Sequence, residues 1–254
     1  MSDTVTGRLK ADLTGKVAVI TGAGSDLGVA LGLHAADRGM KLALADADPG
    51  LLAAAHETVK ARNVETLAVY TEQFDLAALG ELARRTEEEL GPPWLACNTV
   101  GSTIEANLWG VINGVQVFAP GMVMRRSGHI VNIASADISR LRGAAVDIAL
   151  SCAIVGLSES LYRELDSIRS PVAVTVVCPR RINTNITSTP GDQHSIPLQA
   201  PDRGLCSVPP EQLAEQIFAA MERREFWVPR RSLPEMRWHS AERYGFDSPK
   251  SVTH

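Results

Sequence analysis

Short apolar runs alternate along this chain with longer stretches in which apolar residues recur at a helical period. Val17–Ile20 is a run of four β-prone residues that passes through a glycine-rich turn into a helix whose apolar stripe includes Leu27, Ala30 and Leu31. Gly39 ends that helix and Lys41–Ala45 forms a second strand. Pro49 opens a helix running to about Arg62, and Thr66–Tyr70 is the third strand. The helix Leu76–Leu90 is stopped by Gly91 and Pro92, and Leu95–Thr99 is the fourth strand. The second half repeats the pattern with helix Asn107–Met124, strand His129–Ile133, helix Ala145–Ile168, strand Val172–Cys178, helix Pro210–Arg223 and strand Phe226–Pro229. Uninterrupted apolar strands are those buried on both faces. Their alternation with helices, without internal repeat, predicts an α/β fold: one doubly wound parallel sheet with helices on both faces. The expected organisation is a single domain over 1–254, with a core from about 15 to 229, a polar, proline-bearing lid loop over 179–209 and a polar tail over 230–254. The helix from Ala145 is apolar on nearly every side between Ile148 and Leu157, which predicts burial on two fronts.

The stretch VAVITGAGSDLGVA, residues 17–30, carries the first candidate chemistry. Gly22, Gly24 and Gly28 let the backbone turn sharply and let strand and helix pack closely. The N–H groups at the start of the following helix then suit a phosphate. Asp46 ends the next strand, near the roughly 20-residue offset at which a carboxylate accepts hydrogen bonds from an adenosine ribose.

Composition adds mainly exclusions. The chain has 254 residues, 45% hydrophobic and 21% charged, an ordinary soluble composition long enough for one large core. A net charge of −4 with dispersed basic residues makes no case for nucleic acid or an anionic membrane as partner. Residues 1–15 lack the apolar core of a signal peptide and no run approaches the roughly 20 apolar residues that span a bilayer, so a cytoplasmic location is expected. Cys97, Cys152, Cys178 and Cys206 show no metal-ligand spacing, and the first three lie in apolar runs that predict reduced core thiols.

The opening motif resembles that of the short-chain dehydrogenase/reductase family, T-G-x-x-x-G-x-G, implying a Rossmann-like fold. Thr21, Gly22 and Gly28 match it, whereas Asp26 stands at the middle glycine. If its carboxylate faced a pyrophosphate about 5 Å away, repulsion of roughly 3 kcal/mol would weaken binding more than a hundredfold. Alternatively Asp26 turns outward or caps the helix, and the dinucleotide still binds. The resemblance implies cofactor contacts from Thr21, Gly22, Gly24, Asp26, Leu27, Gly28, Asp46, Asn98, Gly101 and Thr184. Trp94–Gly101, WLACNTVG, resembles the family's strand ending in N-N-A-G, with Asn98 and Gly101 kept. EANLWGV follows so soon that the first half of the family's next helix is missing, which should open the cleft on that side.

Family members use an Asn, a Ser and a Tyr-x-x-x-Lys pair, in which the lysine lowers the tyrosine pKa for proton exchange near neutral pH. Matching EANLWG, IVNIAS and IVGLSES assigns Asn107 and Ser135 to the first two, and puts Asp147 and Ser151 where the tyrosine and lysine stand. The lysines are Lys10, Lys16, Lys41, Lys60 and Lys250 and the tyrosines Tyr70, Tyr162 and Tyr244, so no alternative alignment restores the pair, and no Tyr-x-x-x-Arg occurs. A carboxyl, with an ordinary pKa of about 3.9, needs about 4 kcal/mol from its surroundings to stay protonated at neutral pH. Asp147 therefore suits a base or an orienting group better than the acid of carbonyl reduction, or else it is a helix-start aspartate favoured by the dipole. Asp137, Arg140 and Arg142 follow Ser135 at the same predicted edge. PRRINT resembles the family's P-G-x-V-x-T loop, with Arg180 at its glycine and Thr184 kept. Arg180 could intrude on the nicotinamide position, pair with a substrate carboxylate or pair with Asp147. His129, at a strand start away from this edge, reads as structural.

These residues lead to a redox-neutral enzyme of lyase, isomerase or cyclase type acting on a small carbonyl-bearing metabolite, with Asp147 as base, Ser135 and Asn107 as donors and Arg180 as clamp. The alternatives are an NAD(H)-dependent oxidoreductase with a non-standard proton relay, and a non-catalytic binding or regulatory protein. Any cofactor is expected to be NAD(H), weakened by Asp26 and Arg180, and less readily NADP(H), whose 2′-phosphate would meet Asp46. No metal is expected. The resemblance also implies a homodimer or homotetramer joined through the helices from Asn107 and Ala145.

Overall fold

The computed structural model describes residues 12–99, 104–134, 145–179 and 208–229. Its elements, in chain order, are β1 Val17–Thr21, α1 Asp26–Ala36, β2 Lys41–Asp46, α2 Pro49–Lys60, β3 Thr66–Tyr70, α3 Leu76–Glu89, β4 Pro93–Asn98, α4 Ile104–Met124, β5 His129–Ile133, α5 Ala145–Ser167, β6 Ala173–Val177, α6 Pro210–Arg223 and β7 Trp227–Val228. The strands form one parallel sheet in the order β3-β2-β1-β4-β5-β6-β7. β1, β5 and β6 are buried at every position, whereas β3, at one edge, alternates. β4 begins two residues before the Leu95 start expected from its apolar run. Proline as a first strand residue lacks only an N–H that the ladder there does not need.

One side of the sheet is covered by α1, α2 and α6, where Ile20, Leu42, Leu44, Leu95 and Val131 meet Leu31, Val59, Ile217 and Phe218. The other side carries α3, α4 and α5, with Leu79, Leu82, Phe118, Met122 and Leu165 packed on Val19, Ala43, Ala96 and Ile130. Val111, Ala134, Ile154, Val155 and Val176 form a third cluster between α4, α5 and the sheet. Helix starts are fixed by side chains that take orphan N–H groups: Ser25 accepts from Gly28, Asp48 from Gly50 and Leu51, and Asp75 from Ala77 and Ala78.

Of the two outward-or-capping alternatives for Asp26, its exposure as the first helical residue fits the outward one, while Ser25, one position earlier, closes the turn. One expectation is corrected. Cys152 is not a core thiol. Cys97 and Cys178 are buried, and burial pushes the Cys97 thiol up to about 12, but Cys152 lies with Ala149, Ala153 and Gly156 on the exposed side of α5. The apolar second front of that helix is thus exposed at Ala149, Cys152, Ala153 and Gly156 among the described residues. Cys206, most of the expected lid loop over 179–209 (residues 180–207) and the expected tail over 230–254 lie outside the described residues.

His129 is buried at the amino end of β5 and its Nε2–H donates to Thr175 Oγ1 over 2.8 Å, Thr175 in turn donating to the Glu225 carbonyl. Burial, aided by the Arg224 charge, pushes its pKa down from 6.5 to about 3. The unfolded chain therefore takes up this proton below about pH 6.5 and the native state not until about pH 3. Stability present above pH 6.5 falls as pH drops through that window, by at most about 1.4 kcal/mol per pH unit from this residue. Melting curves should show a smaller loss of Tm between pH 7 and pH 5 in His129→Gln than in the parent chain.

Candidate functional site

In a parallel sheet every strand-to-helix junction falls at the carboxyl edge. The order β2-β1-β4 makes the gap between β1 and β4 the point where the winding reverses and a ligand crevice opens. The crevice floor is held by a local polar cluster. Thr99 Oγ1 donates to the Thr21 carbonyl over 2.7 Å, and Thr99 N–H donates to Thr21 Oγ1 over 3.3 Å. Gln73, buried in the loop after β3, completes it: with its amide nitrogen toward the cluster it donates to Thr21 Oγ1 (3.0 Å) and the Thr99 carbonyl (3.2 Å) and accepts from Gly22 N–H (3.3 Å). Gly22 has φ +60°, and a Cβ there would stand 2.1 Å from Thr99 Oγ1. A Cβ at Gly28 would stand 2.3 Å from the Gly22 carbonyl, and one at Gly24 2.5 Å from Leu51 Cβ.

Asp46, at the end of β2, accepts from Gly24 N–H over 2.8 Å on one carboxylate oxygen and from Asp48 N–H over 2.9 Å on the other. It therefore ties the β1–α1 turn to the β2–α2 turn while remaining partly exposed. At the start of α1, Ser25 Oγ donates to the Gly22 carbonyl and accepts from Gly28 N–H, whereas Leu27 N–H has no acceptor among the described residues. A helix N-terminus with an unused N–H facing a glycine turn fits a phosphate oxygen, and Asp46 fits a diol.

Asn98 points inward. Its Nδ2 donates to Asn132 Oδ1 (2.9 Å), Asn132 Nδ2 donates to Ser158 Oγ (3.0 Å), and Ser158 donates to the Ile154 carbonyl. All three side chains are buried, forming a polar chain from β4 through β5 to α5. Asn98 Oδ1 has no hydrogen-bond partner among the described residues and lies against α4, where a Cβ at Gly114 would stand 2.1 Å away.

Of the four catalytic candidates, Asn107 lies in the first turn of α4 and Asp147 in the first turn of α5. Both helices follow parallel strands, so both start at the carboxyl edge and run side by side. Asn107 stands one turn before Val111, which packs with Ala134 and Ile154; its side chain is buried and its Oδ1 has no hydrogen-bond partner among the described residues. On α5, Asp147, Ser151, Ile154 and Ser158 recur at helical spacing along the side that faces the sheet. Ser151, Ile154 and Ser158 are fully buried; Asp147, at the very start of the helix, is exposed, as expected for a side chain that has passed the sheet's edge. β4 ends at Asn98 and α4 begins at Ile104, so only five residues join them. Gly101, Ser135, Asp137, Arg140, Arg142, Arg180 and Thr184 lie outside the described residues. Among the described residues no group of His, Cys, Asp and Glu is disposed to hold a metal, and no helix is long and apolar enough to cross a membrane. Gln73, Ser25, Asn132 and Ser158 were not singled out above; a polar residue inside or just after an apolar run is the only local signal that they carry.

Residues 16–194 match the family model for short chain dehydrogenase. The chain is 33% identical over 227 residues to SadH of Mycobacterium tuberculosis, a protein named as an oxidoreductase, covering 80% of this chain and 81% of that one. It is 27% identical over 233 residues to the 1-deoxy-11-beta-hydroxypentalenate dehydrogenase of Streptomyces avermitilis, covering 83% of each. A short-chain dehydrogenase/reductase from Burkholderia phymatum, solved in complex with NAD, superposes with a TM-score of 0.74 at 27% identity over 96% of this chain and 99% of its own. The chain belongs to the short-chain dehydrogenase/reductase family, whose members named here are oxidoreductases and dehydrogenases.

The Asn98–Gly114 contact gives a direct check on the inward role of Asn98. Gly114→Ala should lower stability by about 1–3 kcal/mol, because the added methyl overlaps a fixed side chain. In the Asn98→Ala background, denaturant titration should find the same substitution costing less than about half as much.

Proposed function

We propose that this chain binds NAD(H) at the β1–β4 crevice and catalyses a redox-neutral step, of lyase, isomerase or cyclase type, on a small carbonyl-bearing metabolite. The observation that carries the reading is the pair on α5: an exposed Asp147 and a fully buried Ser151 where the family has Tyr and Lys. Without lysine no charge is present at that position to draw a proton off a phenol, and there is no phenol. An exposed carboxylate, for its part, lacks the burial that would keep it protonated as an acid.

Asp46 would hold the adenosine ribose of the dinucleotide, and the Leu27 N–H with the Gly22–Gly28 turn its pyrophosphate. Such a cofactor supplies hydride chemistry when bound; in this reading it is structural. Asp26, one residue from the pyrophosphate position, and Arg180 lower its affinity. On the reacting side Asp147 takes a proton from carbon next to the carbonyl, while Asn107 and Ser135 orient the carbonyl and Arg180 offsets the charge that develops on it. A second reading, an NAD(H)-dependent oxidoreductase with water or Asp147 as proton relay, is supported by the names of the relatives and by the NAD of the Burkholderia phymatum structure. It costs the positioned general acid, worth about 10² to 10⁴ in rate. The exposed side of α5, with Ala149, Cys152, Ala153 and Gly156, joins Trp109 and Gln116 of α4 as the face proposed for a homodimer or homotetramer.

Nicotinamide fluorescence should show NADH binding more tightly than NADPH. Asp46→Ala should weaken NADH at least tenfold and erase the preference, and Asp26→Gly should tighten NADH by about ten- to a hundredfold. A protein that binds neither dinucleotide refutes the cofactor assignment. For the reaction, proton NMR in deuterated water without added nicotinamide should detect exchange of hydrogens next to a carbonyl, reduced at least 10²-fold in Asp147→Asn. An equal rate in the variant removes Asp147 as base, and substrate-dependent change in reduced nicotinamide absorbance would favour the oxidoreductase.

A further inference from the structure

Each of the six helices among the described residues is followed, within three residues, by one with positive φ, and the chain fills these positions in two ways. After α1, α2 and α3 stand Gly39 (φ +72°), Asn63 (+57°) and Gly91 (+108°), residue types that enter the left-handed region at least cost. After α4, α5 and α6 stand Arg126 (+50°), Arg169 (+50°) and Arg224 (+55°). The turn itself does not call for arginine. Backbone bonds close each end: Arg126 and Ser127 N–H donate to the Val123 and Met122 carbonyls, Arg169 and Ser170 to Asp166 and Leu165, and Arg224 and Glu225 to Met221 and Ala220. A cation for the helix dipole can stand within the last turn without backbone strain, as Lys60 and Arg223 do.

The three arginines lead into β5, β6 and β7, which are neighbours in the sheet, so they lie in a row along its amino edge, opposite the crevice. Contacts hold the row together: Arg126 Nη2 donates to the Arg169 carbonyl over 3.2 Å, and Arg224 Nη2 donates to the Pro171 carbonyl. All three are exposed, and among the described residues none is ion-paired; the Arg169 side chain has no hydrogen bond either. Their sequence neighbours differ, Arg125 being paired with Glu87 at 3.5 Å and Arg223 with Glu225 at 2.9 Å. Of the carboxylates within three residues of the row, Glu222 and Glu225 are held by Arg38 and Arg223, which leaves Asp166 against three guanidinium groups. Met124 and Ile168, two large apolar side chains left in solvent, stand within two residues of Arg126 and Arg169.

We propose that this row is a docking surface for an acidic amphipathic helix of a partner protein, its carboxylates taken by Arg126, Arg169 and Arg224 and its apolar residues by Met124 and Ile168. Guanidinium forks bind carboxylates bidentately. Neighbouring strands deliver them about 4.8 Å apart, close to the roughly 5–6 Å between side chains one turn apart on a helix. A line of three cations matches one helix, whereas an anionic lipid surface is held by clusters of about 4–8 and is opposed by the net charge of −4. The strained backbone at three positions then keeps charge where a partner can reach it. A helix docked at this edge leaves the crevice open, and the proposal does not depend on what the crevice binds.

The test titrates the full chain by calorimetry with a side-chain-bridged helical peptide carrying Glu at positions i, i+4 and i+7 with Leu between them, and with the same peptide bearing Gln for Glu. At low ionic strength the Glu peptide should bind at least about tenfold more tightly, and the difference should shrink at high salt. Arg169→Gly is the decisive variant, because Arg169 has no side-chain partner to lose and glycine adopts φ +50° readily. It should weaken the Glu peptide by about three- to fivefold with no fall in Tm. Arg126→Gly and Arg224→Gly should weaken it as well, with Tm falling where a carbonyl contact is lost. No binding of the Glu peptide at millimolar concentration, equal affinity for the two peptides, unaltered affinity in Arg169→Gly, or a fall in Tm accompanying that variant's loss of binding overturns the proposal. Binding to phosphatidylserine vesicles without preference for the Glu peptide would assign the row to a lipid surface and likewise overturn it.

Discussion

The parallel direction of all seven strands is the constraint on which the rest of this molecule depends. Parallel strands must be joined by crossovers, so each helix begins at one edge of the sheet and ends at the other. Every described N-cap, the Gly22–Gly28 turn and every described first-turn side chain is thereby delivered to one rim. Helix starts favour carboxylates and helix ends favour cations, as Asp26 and Glu211 in first turns and Lys60 and Arg223 in last turns illustrate. Asp147, in the first turn of α5, belongs to that pattern by position.

Beneath that rim the crevice floor is built from contacts between segments far apart in sequence. Thr99 reaches back to Thr21, Gln73 braces both, and Asp46 ties two turns together through backbone N–H groups. The polar chain Asn98–Asn132–Ser158 does the same one layer down, linking two neighbouring strands to α5. A hydrogen-bonded chain of this kind inside an apolar core tolerates few alternative registers, because a shift by one residue would strand each amide in hydrocarbon.

How much of this was legible in the sequence follows from the range of each interaction. Continuous apolar runs and helical stripes are local, and strands such as Thr66–Tyr70 and His129–Ile133 and the helix Pro210–Arg223 have the bounds expected from pattern alone. The glycine turn and the carboxylate at Asp46 were readable for the same reason. Side-chain partners are not local. Asp26 and Ser25 are both ordinary caps, and only the geometry of the turn decides that the serine reaches Gly28 N–H. Cys152 sits in an apolar run but faces away from the sheet, and Asn98 matches a motif while its amide is spent on a residue 34 positions away.

The three turn glycines carry one further consequence. A side chain at Gly22, Gly24 or Gly28 would strike Thr99, Leu51 or the Gly22 carbonyl, all atoms of the chain itself. Selection for a foldable β1–α1 junction is therefore enough to preserve them. A lineage that had abandoned dinucleotides altogether would still display this signature, so its persistence records the architecture of the scaffold; the ligand's presence must be read from residues that the scaffold could discard at no cost.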